Sequence, residues 1–230
     1  MNVAGLRSKA LTVNNIARIN QINAIVISET HYSSKTKPHL SNYYKVFHKN
    51  RDKYKNACKG GIAVFLDPLH ADNAVVIDSG TTNEEEFITV KLNNYVPPVA
   101  LFACYGPQQT VKNGDLDKLW SKFTNLWKKY VDQGLHVIIC GDLNAAVGLN
   151  GGITRNDPSM NRAGINLLKA VEDLDLILNS KEAKDQRTHI DRSSGLSRCL
   201  DYVITNNEKT CKEVVIDNNL DVFLLILIEV

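Results

Sequence analysis

Val137-Ile-Ile-Cys-Gly-Asp142-Leu-Asn144-Ala is an apolar, β-branched run that stops at a glycine and then turns polar. It reads as a buried strand whose end is marked by Gly141. Asp142 and Asn144 stand two apart, so in extended backbone both side chains point to one side. A carboxylate and an amide would then meet one ligand at the carboxyl end of that strand. An Asx-rich turn capping a strand has the same sequence pattern, and the run by itself fits both readings.

The same design returns elsewhere in the chain. Ala24-Ile-Val-Ile-Ser28 leads into Glu29, with Thr30 and His31 behind it. Val99–Tyr105 carries a phenol to the exit of an apolar run, just before Gly106-Pro107. Asp201 stands directly ahead of Tyr202–Thr205. Each tip alone has a plain structural reading: a solvated strand end, a Tyr packed under a Gly-Pro turn, an acid in a first turn. Together in one chain they are hard to treat as accident.

Further strand-like runs lie at Ile62–Leu66, Phe87–Leu92, Val214–Ile216 and Phe223–Val230. Several are continuously apolar and several alternate, which predicts largely buried sheets. Apolar residues at Leu116, Leu119, Trp120, Phe123, Leu126, Trp127, Tyr130 and Val131 predict a helix over Leu116–Gln133. Asp115 would cap it and Gly134 would end it. Two more helices fit Arg162–Glu172 and Lys9–Gln21. With no repeat, low-complexity tract or linker, residues 1–230 read as one α/β domain with helices on a two-sheet core.

Composition excludes more than it selects. Hydrophobic residues at 43% and charged ones at 23% of 230 residues are ordinary for a globular domain. No apolar stretch approaches the roughly 20 residues of a membrane span, and no leader pattern argues for secretion. Cys58, Cys104, Cys140, Cys199 and Cys211 are scattered, odd in number and without a CxxC pair. They read as reduced thiols of an intracellular protein, nuclear or cytoplasmic, with neither a disulfide framework nor a zinc site. A net charge of +2 does not identify a nucleic-acid binder, so charge distribution has to. Lys35–Lys59 holds eight Lys/Arg against Asp52, with Tyr43, Tyr44, Phe47 and Tyr54 among them. Clustered cations suit a phosphate backbone and the aromatics suit bases; a solvated loop over packed aromatics is the competing reading. Lys49, Arg51 and Lys53 are the candidate DNA contacts, and Arg155, Arg162, Arg187, Arg192 and Arg198 could extend the track.

Taken in order, Asn2-Val-Ala-Gly-Leu-Arg7, Glu29-Thr, Gly60-Gly61-Ile-Ala-Val, Tyr105-Gly-Pro, Gly141-Asp-Leu-Asn144 and Ser197-Arg-Cys-Leu-Asp201-Tyr resemble the endonuclease/exonuclease/phosphatase superfamily. Within it, Asn161-Arg-Ala-Gly164-Ile-Asn-Leu-Leu and Asp175-Leu-Ile-Leu-Asn179 are similar to the apurinic-type endonuclease of LINE-like, non-LTR retrotransposons. The resemblance implies a four-layer α/β sandwich, two packed mixed sheets flanked by helices, with the site at one edge. It implies an Mg²⁺- or Mn²⁺-dependent phosphodiesterase that nicks target DNA, a monomer with no membrane partner. Glu29 then matches the metal-binding glutamate, and Asn2 the asparagine near metal and phosphate. Tyr105 matches the tyrosine on the scissile phosphate, Asp142 the carboxylate that activates water, and Asn144 the amide that orients it. Asp201 matches the aspartate that orients a C-terminal histidine. These roles fit the chemistry, since attack on an anionic diester needs charge neutralisation, a base and a path for the leaving oxygen. Mg²⁺ usually keeps several waters and takes one or two carboxylates.

Two departures from that pattern matter. The family's Ser-Asp-His motif reads Leu220-Asp221-Val222 here: Asp221 keeps the catalytic and metal-side aspartate, while valine replaces the histidine. Valine neither donates a hydrogen bond nor carries a proton. The strand that normally precedes the asparagine also has no counterpart before Asn2, so one sheet would lack a central strand and expose pairing edges. Both features suggest a fragment or decayed copy of a larger reading frame that also encodes a reverse transcriptase. The alternatives are a catalytically inactive nucleic-acid-binding remnant and a superfamily phosphatase or phosphodiesterase acting on another substrate.

Overall fold

The structure, a computed structural model, describes residues 5–19, 21–32, 37–40, 45–49, 60–81, 86–108, 111–148, 160–178, 189–190, 197–198, 200–210, 213–216 and 223–227. The buried runs become strands. β1 (Ala24–Ser28), β2 (Lys45–Lys49), β3 (Ile62–Leu66), β12 (Glu213–Ile216) and β13 (Phe223–Leu227) form a sheet in the order β12-β13-β1-β3-β2. Every pairing in it is antiparallel. β4 (Val75–Thr81), β5 (Glu86–Leu92), β6 (Val99–Tyr105), β7 (His136–Asp142), β8 (Ile177–Leu178) and β11 (Asp201–Thr205) form the second, ordered β4-β5-β6-β7-β11-β8. That sheet is mixed, because β6 and β7 run parallel. A parallel pair needs a crossover, and α3 (Asn113–Asp132) supplies it. A short pair, β9 (His189–Ile190) with β10 (Ser197–Arg198), stands apart from both sheets.

Side-chain alternation builds the layers. Val26, Val64, Ile88, Val90, Leu101, Ala103, Ile138, Cys140 and Val203 meet in one core between the two sheets. Ile25, Ile27, Ala63 and Phe65 point the other way, under α1 (Gly5–Ile19) through Leu6, Val13 and Ala17. Phe87, Phe102, Val137, Ile139, Tyr202 and Ile204 lie under α3 and α4 (Arg162–Asp173). Helix, sheet, sheet and helices make four layers, as the resemblance implies. Trp120, Phe123 and Trp127 of α3 pack edge-on or stacked with each other, and Phe123 and Trp127 also reach Phe102.

Several expectations shift. α3 starts at Asn113, so Asp115 lies in its first turn instead of capping it; Gly134 follows at φ +72° as the stop. β2, inside the basic segment read as a loop, is an edge strand with Phe47 partly buried between the sheets. β4 and the one-turn helix α2 (Pro68–Ala71) were not expected. β1 carries β13 on one side and β3 on the other, so the expected open edge is not found at β1. Arg162 begins α4 and is held by Asp117 through two hydrogen bonds, at 3.0 and 2.8 Å, instead of extending a basic loop track. Among the described residues no helix is long and apolar enough to cross a membrane.

Candidate active site

Strand register lines up one row of polar side chains. Glu86 stands opposite Tyr105, Tyr105 opposite Asp142, and Asp142 opposite Asp201. Each lies two residues from a side chain of the inter-sheet core: Ile88, Ala103, Cys140 and Val203. Period-two alternation therefore puts all four on the same inner face, where they close one end of the apolar layer. Gly141 is what lets β7 approach β6 there. Its φ is +138°, and an added Cβ would collide with the Cys104 carbonyl oxygen.

The chain turns sharply after Asp142. Asn144 has φ +50°, so the extended geometry expected from Asp142 to Asn144 does not hold. Instead Asp142 Oδ1 accepts the Asn144 N–H at 2.8 Å, an Asx-type turn. Asn144 Nδ2 donates to the Gly106 carbonyl at 2.9 Å, and the Asn144 carbonyl accepts from Asn161 Nδ2 at 3.0 Å. Asn161 caps α4 at the same time, its Oδ1 accepting from Gly164 N at 2.7 Å and Ala146 N at 3.0 Å. The turn reading is correct, and it leaves Asp142 in the row.

Electrostatics tie Glu29 to this row. Burial first, then the charges of Asp142 and Glu29, push the Tyr105 phenol well above its usual range, against hydrogen bonds with Gln108 and Asn144. Gln108 Nε2 donates to the phenol oxygen at 3.0 Å, which leaves the Tyr105 O–H to donate elsewhere. Asp142 is pushed well above the ordinary carboxylate range by burial and then by the Asp201 charge; the Asn144 amide opposes this and Glu29 adds to it. The buried Cys104 thiol is pushed up by burial and by Asp142, and neither Cys104 nor Cys140 is in a disulfide.

Glu29 itself leaves β1 at φ +53°. The amides that follow it are pinned to the segment that enters β3: Thr30 N–H donates to Gly61 O at 3.0 Å and His31 N–H to Gly60 O at 2.8 Å. Gly61 N–H in turn donates to Glu86 Oε2 at 2.8 Å, and Glu86 is only 1% exposed. Lys49 lies at this same end, since its partner Ile62 also pairs with Ser28. The structure thus brings together Glu29, Tyr105, Asp142, Asn144 and Asp201. Asn2, Arg51, Lys53, Asp221 and Val222 lie outside the described residues.

Sequence reading passed over Glu86, Gln108 and the role of Asn161. The signal for Glu86 was present: it shares the parity of Ile88 and Val90, so a carboxylate was due on an inward face. Gln108 gave no signal beyond following Tyr105-Gly-Pro.

Among the described residues, no three His, Cys, Asp or Glu side chains gather closely enough to enclose a metal alone. The donor set fits a hard ion that keeps most of its water. Glu29 and Asp142 have no cationic partner among the described residues, and Asp142 is raised first by burial and then by neighbouring negative charge, the second of which a divalent cation would offset.

Residues 99–223, more than half of the chain, match the family described as Endonuclease-reverse transcriptase. No curated protein matches the chain. Among solved structures, an AP endonuclease from Archaeoglobus fulgidus is similar at TM-score 0.70 and 15% identity, covering 100% of this chain and 97% of that one. The 3′ phosphatase NExo from Neisseria, bound to product DNA hairpin, reaches TM-score 0.72 at 12% identity, covering 99% and 97%. The endonuclease domain of TRAS1, a telomere-specific non-LTR retrotransposon, reaches 0.62 at 15% identity, covering 99% and 94%. At such identities the likeness is one of fold.

Proposed function

The chain belongs to the endonuclease–reverse transcriptase family, within the endonuclease/exonuclease/phosphatase fold, and on that premise we propose that it is a divalent-metal-dependent DNA endonuclease that nicks one strand. The supporting observation is the gathering of Glu29, Tyr105, Asp142 and Asp201 at one end of the inter-sheet layer, from strands far apart in sequence. In this reading residues 1–230 work as one domain, as a monomer in the nucleus or cytoplasm, alongside a reverse-transcriptase region of a longer parent protein.

Glu29 would hold Mg²⁺ or Mn²⁺, with Asn2 and Asp221 completing the protein's share. Once bound, the ion supplies charge neutralisation to the phosphate. Asp142 takes the proton of the attacking water from its place in the row between Tyr105 and Asp201. Asn144, fixed by the Gly106 and Asn161 contacts, orients that water. Tyr105 stays protonated and donates its O–H to a non-bridging phosphate oxygen. As the water oxygen bonds to phosphorus, the bond to the leaving sugar oxygen breaks, and that oxygen must gain a proton. Val222 cannot supply one, and this favours a second reading: a silent remnant that binds nucleic acid without cutting it.

Supercoiled plasmid incubated with Mg²⁺, and in parallel with EDTA, tests both. Mg²⁺-dependent conversion to the nicked form supports the endonuclease. Binding without nicking supports the remnant, and turnover of a non-nucleic phosphodiester alone would reject the DNA reading.

A further inference from the structure

We propose that Glu86 is a positioning residue whose buried carboxylate sets the loop that carries Glu29; this rests on the reading of Glu29 as a metal ligand. Glu86 begins β5 and is 1% exposed, on the inner face that continues as Ile88 and Val90. Space at that position would be filled at less cost by an apolar side chain, because burying a carboxylate is unfavourable without strong hydrogen bonds. Its carboxylate accepts from the Gly61 N–H, at the entry to a strand of the opposite sheet.

Two links carry that contact to Glu29. The Gly61 carbonyl accepts from the Thr30 amide, and the Gly60 carbonyl accepts from the His31 amide. These are the first two peptide N–H groups after Glu29 in the chain. Glu29 at φ +53° and His31 at φ +55° sit in the left-handed region, which non-glycine residues hold only when their surroundings impose it. Gly60 at φ +73° and Gly61 at φ +92° are the facing pair, free of that penalty. Glu86 is also the register neighbour of Tyr105. One carboxylate therefore ties the Glu29 loop, on the five-stranded sheet, to the polar row on the six-stranded one. Its loss would let Glu29 drift relative to Tyr105 and Asp142 without touching either.

The test is Mn²⁺ titration of the protein, read from the free-ion EPR signal, with amide hydrogen exchange at Thr30 and His31. Wild type is compared with Glu29→Gln, Glu86→Gln, Glu86→Asp and Glu86→Leu, each checked for fold by circular dichroism. Glu86→Gln keeps an acceptor oxygen at the same reach, so Mn²⁺ affinity and exchange should stay close to wild type. Glu86→Leu removes the acceptor and Glu86→Asp withdraws it by one methylene. Both should weaken Mn²⁺ binding by about 10-fold or more, as the loss of supporting residues around metal ligands commonly does, and speed exchange at both amides. Should Glu86→Leu fail to fold, Glu86→Asp decides. Unchanged Mn²⁺ affinity in Glu86→Asp and Glu86→Leu, with affinity lost in Glu29→Gln, would overturn the proposal. If Glu29→Gln binds Mn²⁺ like wild type, the metal reading of Glu29 fails instead, and hydrogen exchange alone decides whether Glu86 sets the loop.

Discussion

Asp142 carries a penalty that the folded protein feels as pH rises. Its carboxyl is raised above the ordinary value of about 3.9. Between that value and the raised one, the folded chain binds more protons at this group than the unfolded chain does. Its contribution to stability is therefore greatest below about pH 4 and falls as pH climbs through the folded value. Thermal melts in EDTA should show the advantage of Asp142→Asn over wild type growing with pH, and Mg²⁺ should shrink it. A difference that stays flat with pH would contradict the burial of Asp142 and its crowding by Asp201 and Glu29. Val222 makes the second prediction at this scale. Phe223 pairs with Ile27, so β13 begins at the end where Glu29 leaves β1. Val222→His should raise Mg²⁺-dependent plasmid nicking by roughly 10² to 10⁴-fold, and Asp201→Asn should remove most of that gain. No rescue in a folded variant would assign the defect elsewhere. The chemistry-bearing tips Glu29, Tyr105, Asp142 and Asp201 were legible because each ends or begins an apolar run. Glu86 showed in the sequence only as an inward-facing acid, because its meaning lies in a partner from the other sheet.

Single elements show where local pattern succeeds and where it runs out. The runs of β1, β3, β5, β6, β7 and β11 could be read directly, since strands buried on both faces leave little room for polar residues. β4 could not: Asp78 and Gly80 interrupt it, and an irregularity between Val76 and Asp78 shifts its register and breaks the alternation. β2 was hidden by its own lysines, which an edge strand tolerates. If those cations serve DNA, converting Lys49, Arg51 and Lys53 together to Glu should weaken duplex binding at low salt. The log–log salt slope should fall by about 0.9 for each phosphate that the variant no longer neutralises. An unchanged slope would make the segment plain surface. α4 offers a cleaner separation of roles, because Asn161 both caps the helix and grips the Asn144 carbonyl. Asn161→Asp keeps a good cap but sets a carboxylate against that carbonyl; Asn161→Ala loses both and costs about 1 kcal/mol. In the Val222→His background, Asn161→Asp should retain the denaturation midpoint yet cut nicking. Unchanged nicking in Asn161→Asp would mean that capping is all Asn161 does.

For the molecule as a whole, the layers stand or fall on apolar packing, and α3 is the clearest place to probe it. Trp127 is fully buried against Phe102, Trp120 and Phe123, so Trp127→Ala should cost about 3–5 kcal/mol. Urea denaturation measures this, and a cost below about 1 kcal/mol would mean that the α3 layer is not packed as described. The sheet order carries a different consequence, one of timing. β1 pairs with β13, so neighbours in space are separated by nearly the whole sequence. On the ribosome, β1 and β3 emerge early, and one side of β1 then stays open until residues 223–227 have been synthesised. The six-stranded sheet draws on residues 75–205 and can close sooner. The nascent chain therefore passes through a stage in which its second sheet is complete and its first is a sticky ribbon, the kind of edge that recruits chaperones or a neighbouring chain. Closing that last, most distant pairing is slow by its topology. Full assembly of the loops around Glu29 is thereby deferred until translation has passed the final strand.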